Sequence, residues 1–153
     1  MGFSLIELVI VLLIVGILAV VASSRVLNIR TNAQLNAIVT EANRLNRLAM
    51  IAQQLNGRLP ANTNGQVVPT ELQPPLYAHS FQARNPVGAL WDWNGPGTSL
   101  PVYGISCVFD STSAEPSGLY TQLDSKFDDG NAATGKIRRQ ILSSKPYWCF
   151  SVQ

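Results

Sequence analysis

The side chains able to do chemistry in this chain are few, and they fall into small separate groups. Histidine occurs once, as His79, so a Ser-His-Asp arrangement finds no well-placed base, and no His/Cys cluster has zinc spacing. Cys107 and Cys149 both lie in the C-terminal third. Such a pair is either a disulfide or two buried thiols. Asp124, Asp128 and Asp129, with Asn131, form the densest set of oxygen donors, the kind that calcium takes. Their spacing is not that of an EF-hand, and the aspartates are equally suited to ending a helix. Trp91-Asp92-Trp93 can stack a sugar, or its rings can pin a loop to a sheet. Lys136, Arg138 and Arg139 group three cations that can meet phosphate, or can form a solvated strand face. No glycine-rich phosphate loop follows a strand. An enzyme is the least supported class, and no cofactor is expected.

Glu7 stands apart because of its surroundings. It interrupts an apolar run from Phe3 to Val21, long enough to cross a hydrocarbon core as a helix. A charge at that depth costs roughly 2.5–3.5 kcal/mol on insertion scales, so it calls for a partner. Positive charge at a helix N-terminus fits, whether from the chain's own amine or a neighbour's. No small-residue cleavage site follows the run, which argues against an ordinary secretory signal.

The elements that must position these groups begin with one long helix. Proline is absent between Phe3 and Leu59, and Gly16 is the sole glycine between Phe3 and Asn56. A three-four rhythm continues through Leu35, Ile38, Ala42, Leu45, Ala49 and Ala52, with Leu48, Ile51 and Leu55 widening the stripe. The pattern predicts a helix from Ser4 to Leu55, stopped by Asn56-Gly57. Its first half is apolar all round, a stalk suited to bundling, and its second half is amphipathic. Leu59 to Pro101 is rich in Pro, Gly and Asn and reads as loops, with short strands at most near 66–68 and 88–91. Strands are expected at 105–109, 136–142 and 147–152, and a short helix at 117–127 capped by Ser117. Strands gathered after a long helix indicate an α+β fold with an antiparallel sheet. Of the 153 residues, roughly 100–130 are left for one soluble domain. The net charge of +2 is too small to argue for nucleic acid by itself.

Gly2-Phe3-Ser4-Leu5-Ile6-Glu7-Leu8 resembles the processing site of the type IV pilin superfamily. The resemblance implies cleavage by a prepilin peptidase between Gly2 and Phe3, and N-methylation of the new terminal Phe3. It implies that Phe3 and Glu7 serve assembly, Glu7 meeting a neighbouring subunit's terminal amine. Residues 1–2 are then a leader remnant, 3–24 the membrane and assembly stalk, 25–57 the amphipathic half of the helix, and 58–153 the head. The family's basic leader residues are not represented before Gly2. A proline beyond the membrane segment, common in the family, is replaced by Ala22-Ser23-Ser24-Arg25, leaving Gly16 and Ser23-Ser24 as the soft points.

The resemblance further implies the pilin fold, with a Cys107–Cys149 disulfide stapling the C-terminal strand. The expected function is that of a structural subunit of a type IV pilus, held in the bacterial inner membrane and then assembled into an extracellular filament for adhesion, motility or DNA uptake. Its partners would be identical or related pilins, the prepilin peptidase and an inner-membrane assembly platform, with nucleic acid as an open candidate. A minor pilin or a type II secretion pseudopilin is the alternative. A membrane-tethered module using Trp91, Trp93 or the Lys136–Arg139 group on sugar or DNA is a further one.

Overall fold

The computed structural model describes residues 4–73, 81–100 and 102–152, with the backbone alone at Ser24. The fold class is α+β: a long N-terminal helix and a four-stranded antiparallel sheet. Helix α1 runs Leu5–Asn56, and Gly57 ends it in the left-handed region at φ 72°, its N–H reaching Gln53 O at 2.8 Å. The expected Asn56-Gly57 stop is therefore in place. By compactness the chain forms two units, Met1–Asn36 and Ala37–Gln153.

In the first unit, every described side chain from Ser4 to Arg30 is exposed. The expected stripe continues in the second unit, where Ile38, Ala42, Leu45, Ala49 and Ala52 are all buried. The sheet there is built from β1 (Leu90–Asn94), β2 (Gly104–Val108), β3 (Ile137–Leu142) and β4 (Lys145–Ser151), in the order β1-β2-β4-β3. The β3–β4 hairpin turns through two residues, Ser143 and Ser144, both at positive φ, the geometry whose twist matches its strands. The segment around 66–68 is not a strand. Gln66 sits at φ 64°, and Thr63 and Gln66 instead lend their N–H groups to Trp93 O and Trp91 O along β1.

Residues paired across an antiparallel ladder share a face, which divides the sheet by chemistry. Trp91, Trp93, Ile105, Cys107, Trp148, Phe150 and Ile137 fall on one face and are buried. Helix α2 (Leu119–Phe127) adds to that core: Tyr120 lies 5.8 Å from Trp148 between ring centres, and its hydroxyl donates to Ile137 O at 2.9 Å. The expected Ser117 cap is not made; Gly118 precedes the helix in the left-handed region, with no side-chain cap. The other face carries Asp92, Asn94, Ser106, Arg138, Tyr147 and Cys149.

Asn46 is the polar exception in the buried stripe. Its Nδ2 donates to Phe150 O at 3.0 Å, and its Oδ1 accepts Ile105 N–H at 2.9 Å. One amide thus fixes where α1 crosses β2 and β4. Asn46→Ala would leave both backbone groups buried without it, at a cost of roughly 2–4 kcal/mol. Denaturation followed by tryptophan fluorescence should show that loss, while exposed Asn43→Ala moves the midpoint little.

Candidate functional site

The first candidate site is the start of α1. Ser4 precedes the helix and Glu7 lies in its first turn, giving the S-x-x-E spacing of a capping box. Ser4 N–H donates to Glu7 Oε2 at 2.9 Å. Glu7 therefore satisfies a backbone donor at its own helix start, and among the described residues its second oxygen has no further donor. The acidic group also sits where the helix dipole favours negative charge. The cap is legible in the sequence as Ser4-x-x-Glu7, although a carboxylate inside an apolar run points first to an external partner. Beyond Glu7 the exposed side chains include Leu8, Ile10, Leu13, Ile14 and Leu18, and an 18-residue window reaches a mean hydropathy of 3.2. By length and composition this helix can cross a membrane. Gly2 and Phe3 lie outside the described residues, as does His79.

The remaining expected residues do not come together as one site. Cys107 and Cys149 are free and buried, which corrects the expected disulfide. The register gives the reason. Cys107 is paired with Trp148 and Cys149 with Ser106, so the two thiols belong to opposite faces of the sheet. Burial raises both, Cys149 to about 12, which keeps them as unreactive thiols.

Trp91 and Trp93 are 2% and 0% exposed, which removes them as a sugar-stacking pair. Trp93 Nε1 donates to Pro60 O at 3.1 Å, so this ring pins the loop to the sheet, the other of the two expected roles. Lys136, Arg138 and Arg139 do not form one basic surface. Arg138 and Arg139 alternate across the pleat, and Arg139 is held by Glu115 at 2.6 Å. Glu115 also accepts from Trp148 Nε1 at 2.6 Å, and its carboxyl is held below the usual range chiefly by the Arg139 hydrogen bond.

Asp124, Asp128 and Asp129 do converge, with one oxygen from each inside a 4.8 Å span. Their hydrogen bonds explain much of that convergence. Asp128 Oδ2 accepts Lys136 N–H and Ile137 N–H, and Asp129 accepts Asn131 N–H and Thr134 Oγ1–H. Asn131 Oδ1 is itself taken by Ala133 N–H. The loop between α2 and β3 is built on these bonds, and Asp124, buried beneath them, has its carboxyl raised first by desolvation and then by its two neighbours.

The residue that sequence reasoning passed over is Asp92, hidden between two more conspicuous tryptophans. It is buried on the polar sheet face, and its Oδ1 has no hydrogen-bond partner. Burial pushes its carboxyl up to about 7, against a smaller lowering by the Trp93 backbone. The period-two alternation of β1 was the available signal: with both rings inward, Asp92 must face the other way.

No family model, curated protein or solved structure matches this chain.

A carboxyl raised on folding binds its proton more tightly in the native state. Its stabilising contribution is present below the unfolded pKa and is lost as pH rises from about 4 to about 7. Asp92→Asn should therefore stabilise the fold at pH 8 relative to pH 4, by up to about 4 kcal/mol. Parallel urea titrations of the two proteins at both pH values, read by tryptophan fluorescence, check the sign. An equal effect at both would contradict the burial argument.

Proposed function

We propose that this chain is a filament subunit of the type IV pilin kind, held first in the bacterial inner membrane and then polymerised through α1. The observation that carries the reading is the exposed apolar stretch of α1 with a carboxylate in its first turn. A simple membrane anchor gains only a helix cap from an acidic residue there, whereas a subunit that must register against copies of itself also uses its charge. Moving such a helix from lipid into a bundle of identical helices gains little hydrophobic energy, because lipid tails are as apolar as leucine. Packing and the Glu7–amine pair then set the register, with the Glu7 carboxylate receiving the N-terminal amine of a neighbouring subunit. Processing between Gly2 and Phe3 by a prepilin peptidase supplies that amine, and an inner-membrane platform drives assembly. Ser4 and Glu7 both lie beyond the cut, so the helix cap survives it. In this reading the protein is structural and not an enzyme, with a pilin fold in the second unit.

A second reading within the same superfamily is a type II secretion pseudopilin or a minor pilin. The free cysteines favour it over a major pilin, because many pseudopilins lack a C-terminal disulfide.

Glu7→Gln separates capping from charge, since glutamine also closes a capping box. We expect Glu7→Gln to keep the helix start, seen as amide protection at Ser4, yet to lower the yield of sheared filaments about tenfold or more, consistent with loss of a close charge pair. Glu7→Ala should lose both. Normal filaments from both variants would contradict the mechanism, and full rescue by glutamine would reduce Glu7 to a cap.

A further inference from the structure

The polar face of the sheet carries a cleft that the filament reading does not use. It is a cavity of about 410 Å3, inside the roughly 300–1,000 Å3 range of small-molecule sites. Asp92 and Asn94 of β1 line it, with Asn62 to Gly65 on one side, Gly97 to Leu100 on another, and Lys145 and Tyr147 of β4 completing the wall. All of these belong to the second unit.

The walls are fixed by the chain's own hydrogen bonds. Asn62 N–H reaches Pro96 O, Thr63 N–H reaches Trp93 O, and Leu100 N–H reaches Thr98 Oγ1. Asn94 is anchored through Nδ2 to Ser106 Oγ at 2.8 Å. Other polar groups are left over. Asp92 Oδ1 is a buried acceptor without a donor, on a side chain 7% exposed. Gly65 passes beside it, and a Cβ placed there would touch nothing nearer than Asp92 Oδ1 at 4.0 Å. Asp92 lines the cavity as a residue, while this oxygen keeps under 1 Å2 of accessible surface beside Gly65. Among the described residues, the side chains of Asn62, Asn64, Ser99 and Tyr147 make no hydrogen bond to the protein.

A buried acceptor lacking a donor is destabilising, and a turn of the Asp92 carboxyl toward the adjoining polar cavity lets a ligand supply the donor. The lining selects the ligand's class. Its charged side chains are one carboxyl and one ammonium, Asp92 and Lys145, so neither an anion nor a cation is favoured overall. Beside two glycines, the rest are amides, hydroxyls, Leu100, Leu142 and a half-buried tyrosine ring, which presents an apolar face and a polar tip. Hydroxyl groups that both donate and accept, arrayed on a ring with C–H faces, match that set.

We propose that the cleft over Asp92 is a saccharide-binding site, with the Asp92 carboxyl accepting sugar hydroxyls and Tyr147 packing against a ring face. It takes a neutral mono- or disaccharide unit, and it differs from the Trp91–Trp93 pair, which is buried on the opposite face. The site stands whether or not the chain forms filaments.

The test uses the full chain, isotopically labelled, in micelles of a detergent without a sugar headgroup. Glucose, galactose, N-acetylglucosamine, maltose and lactose are titrated separately, with methylammonium chloride in parallel. At least one sugar should give saturable amide shifts confined to residues 62–65, 92–94, 97–100 and 142–147. Asp92→Ala and Gly65→Leu should each weaken that binding about tenfold or more, the first by removing the acceptor and the second by filling the cavity. Gly65→Leu keeps the test valid if Asp92→Ala perturbs folding, because its Cβ meets no clash. No saturation by any sugar, undiminished saturation in both variants, or saturation by methylammonium alone would each overturn the assignment.

Discussion

An apolar surface of this length cannot remain in water, and that constraint governs the rest of the molecule. From Leu5 to Val21 the large apolar side chains are at least half exposed, Val21 at 50% and Leu5 at 81%. At about 25 cal/mol per Å2 such a surface is strongly driven to find lipid or other helices. A bilayer and a bundle of copies are both able to satisfy it, and the difference in apolar energy between them is small. A chain built this way can pass from one environment to the other without a large hydrophobic barrier. Specificity must then come from somewhere else, and Glu7 is the polar group placed to give it.

Within the second unit the same logic runs in the conventional direction. The amphipathic stripe of α1 finds its partner in the apolar sheet face, and Asn46 sets the alignment by bonding to β2 and β4 at once. Hydrophobic burial alone tolerates sliding, whereas two directed hydrogen bonds to fixed backbone groups do not. Because every residue opposite that core must point away from it, Asp92, Asn94, Tyr147 and Cys149 are gathered on the second face by the pleat alone.

Much of the architecture was legible in the residues. The helix and its Asn56-Gly57 stop follow from a long proline-free stretch and a periodic stripe. Three of the strands follow from alternation, and the α+β class from their order. The details that failed share a cause: they depend on partners distant in sequence. Cys107 and Cys149 read as a disulfide because their even number and an expected export allow one, but only the β2–β4 register tells which face each occupies. Trp91 and Trp93 left two roles open, stacking a sugar or pinning a loop to the sheet, and choosing the second requires knowing that β1 pairs with β2. The basic group at 136–139 was split by pleat alternation and by Glu115, a partner more than twenty residues away. Asp92 was legible in principle, as the outward residue between two inward rings.

The central claim is that the apolar helix leaves the membrane to assemble. Its most direct test is intact-mass spectrometry of filaments sheared from native cells, beside the membrane fraction of the same cells. The account predicts this chain in the sheared fraction, beginning at an N-methylated Phe3. Finding it confined to the membrane, with Gly2 still attached to Phe3, would contradict the account.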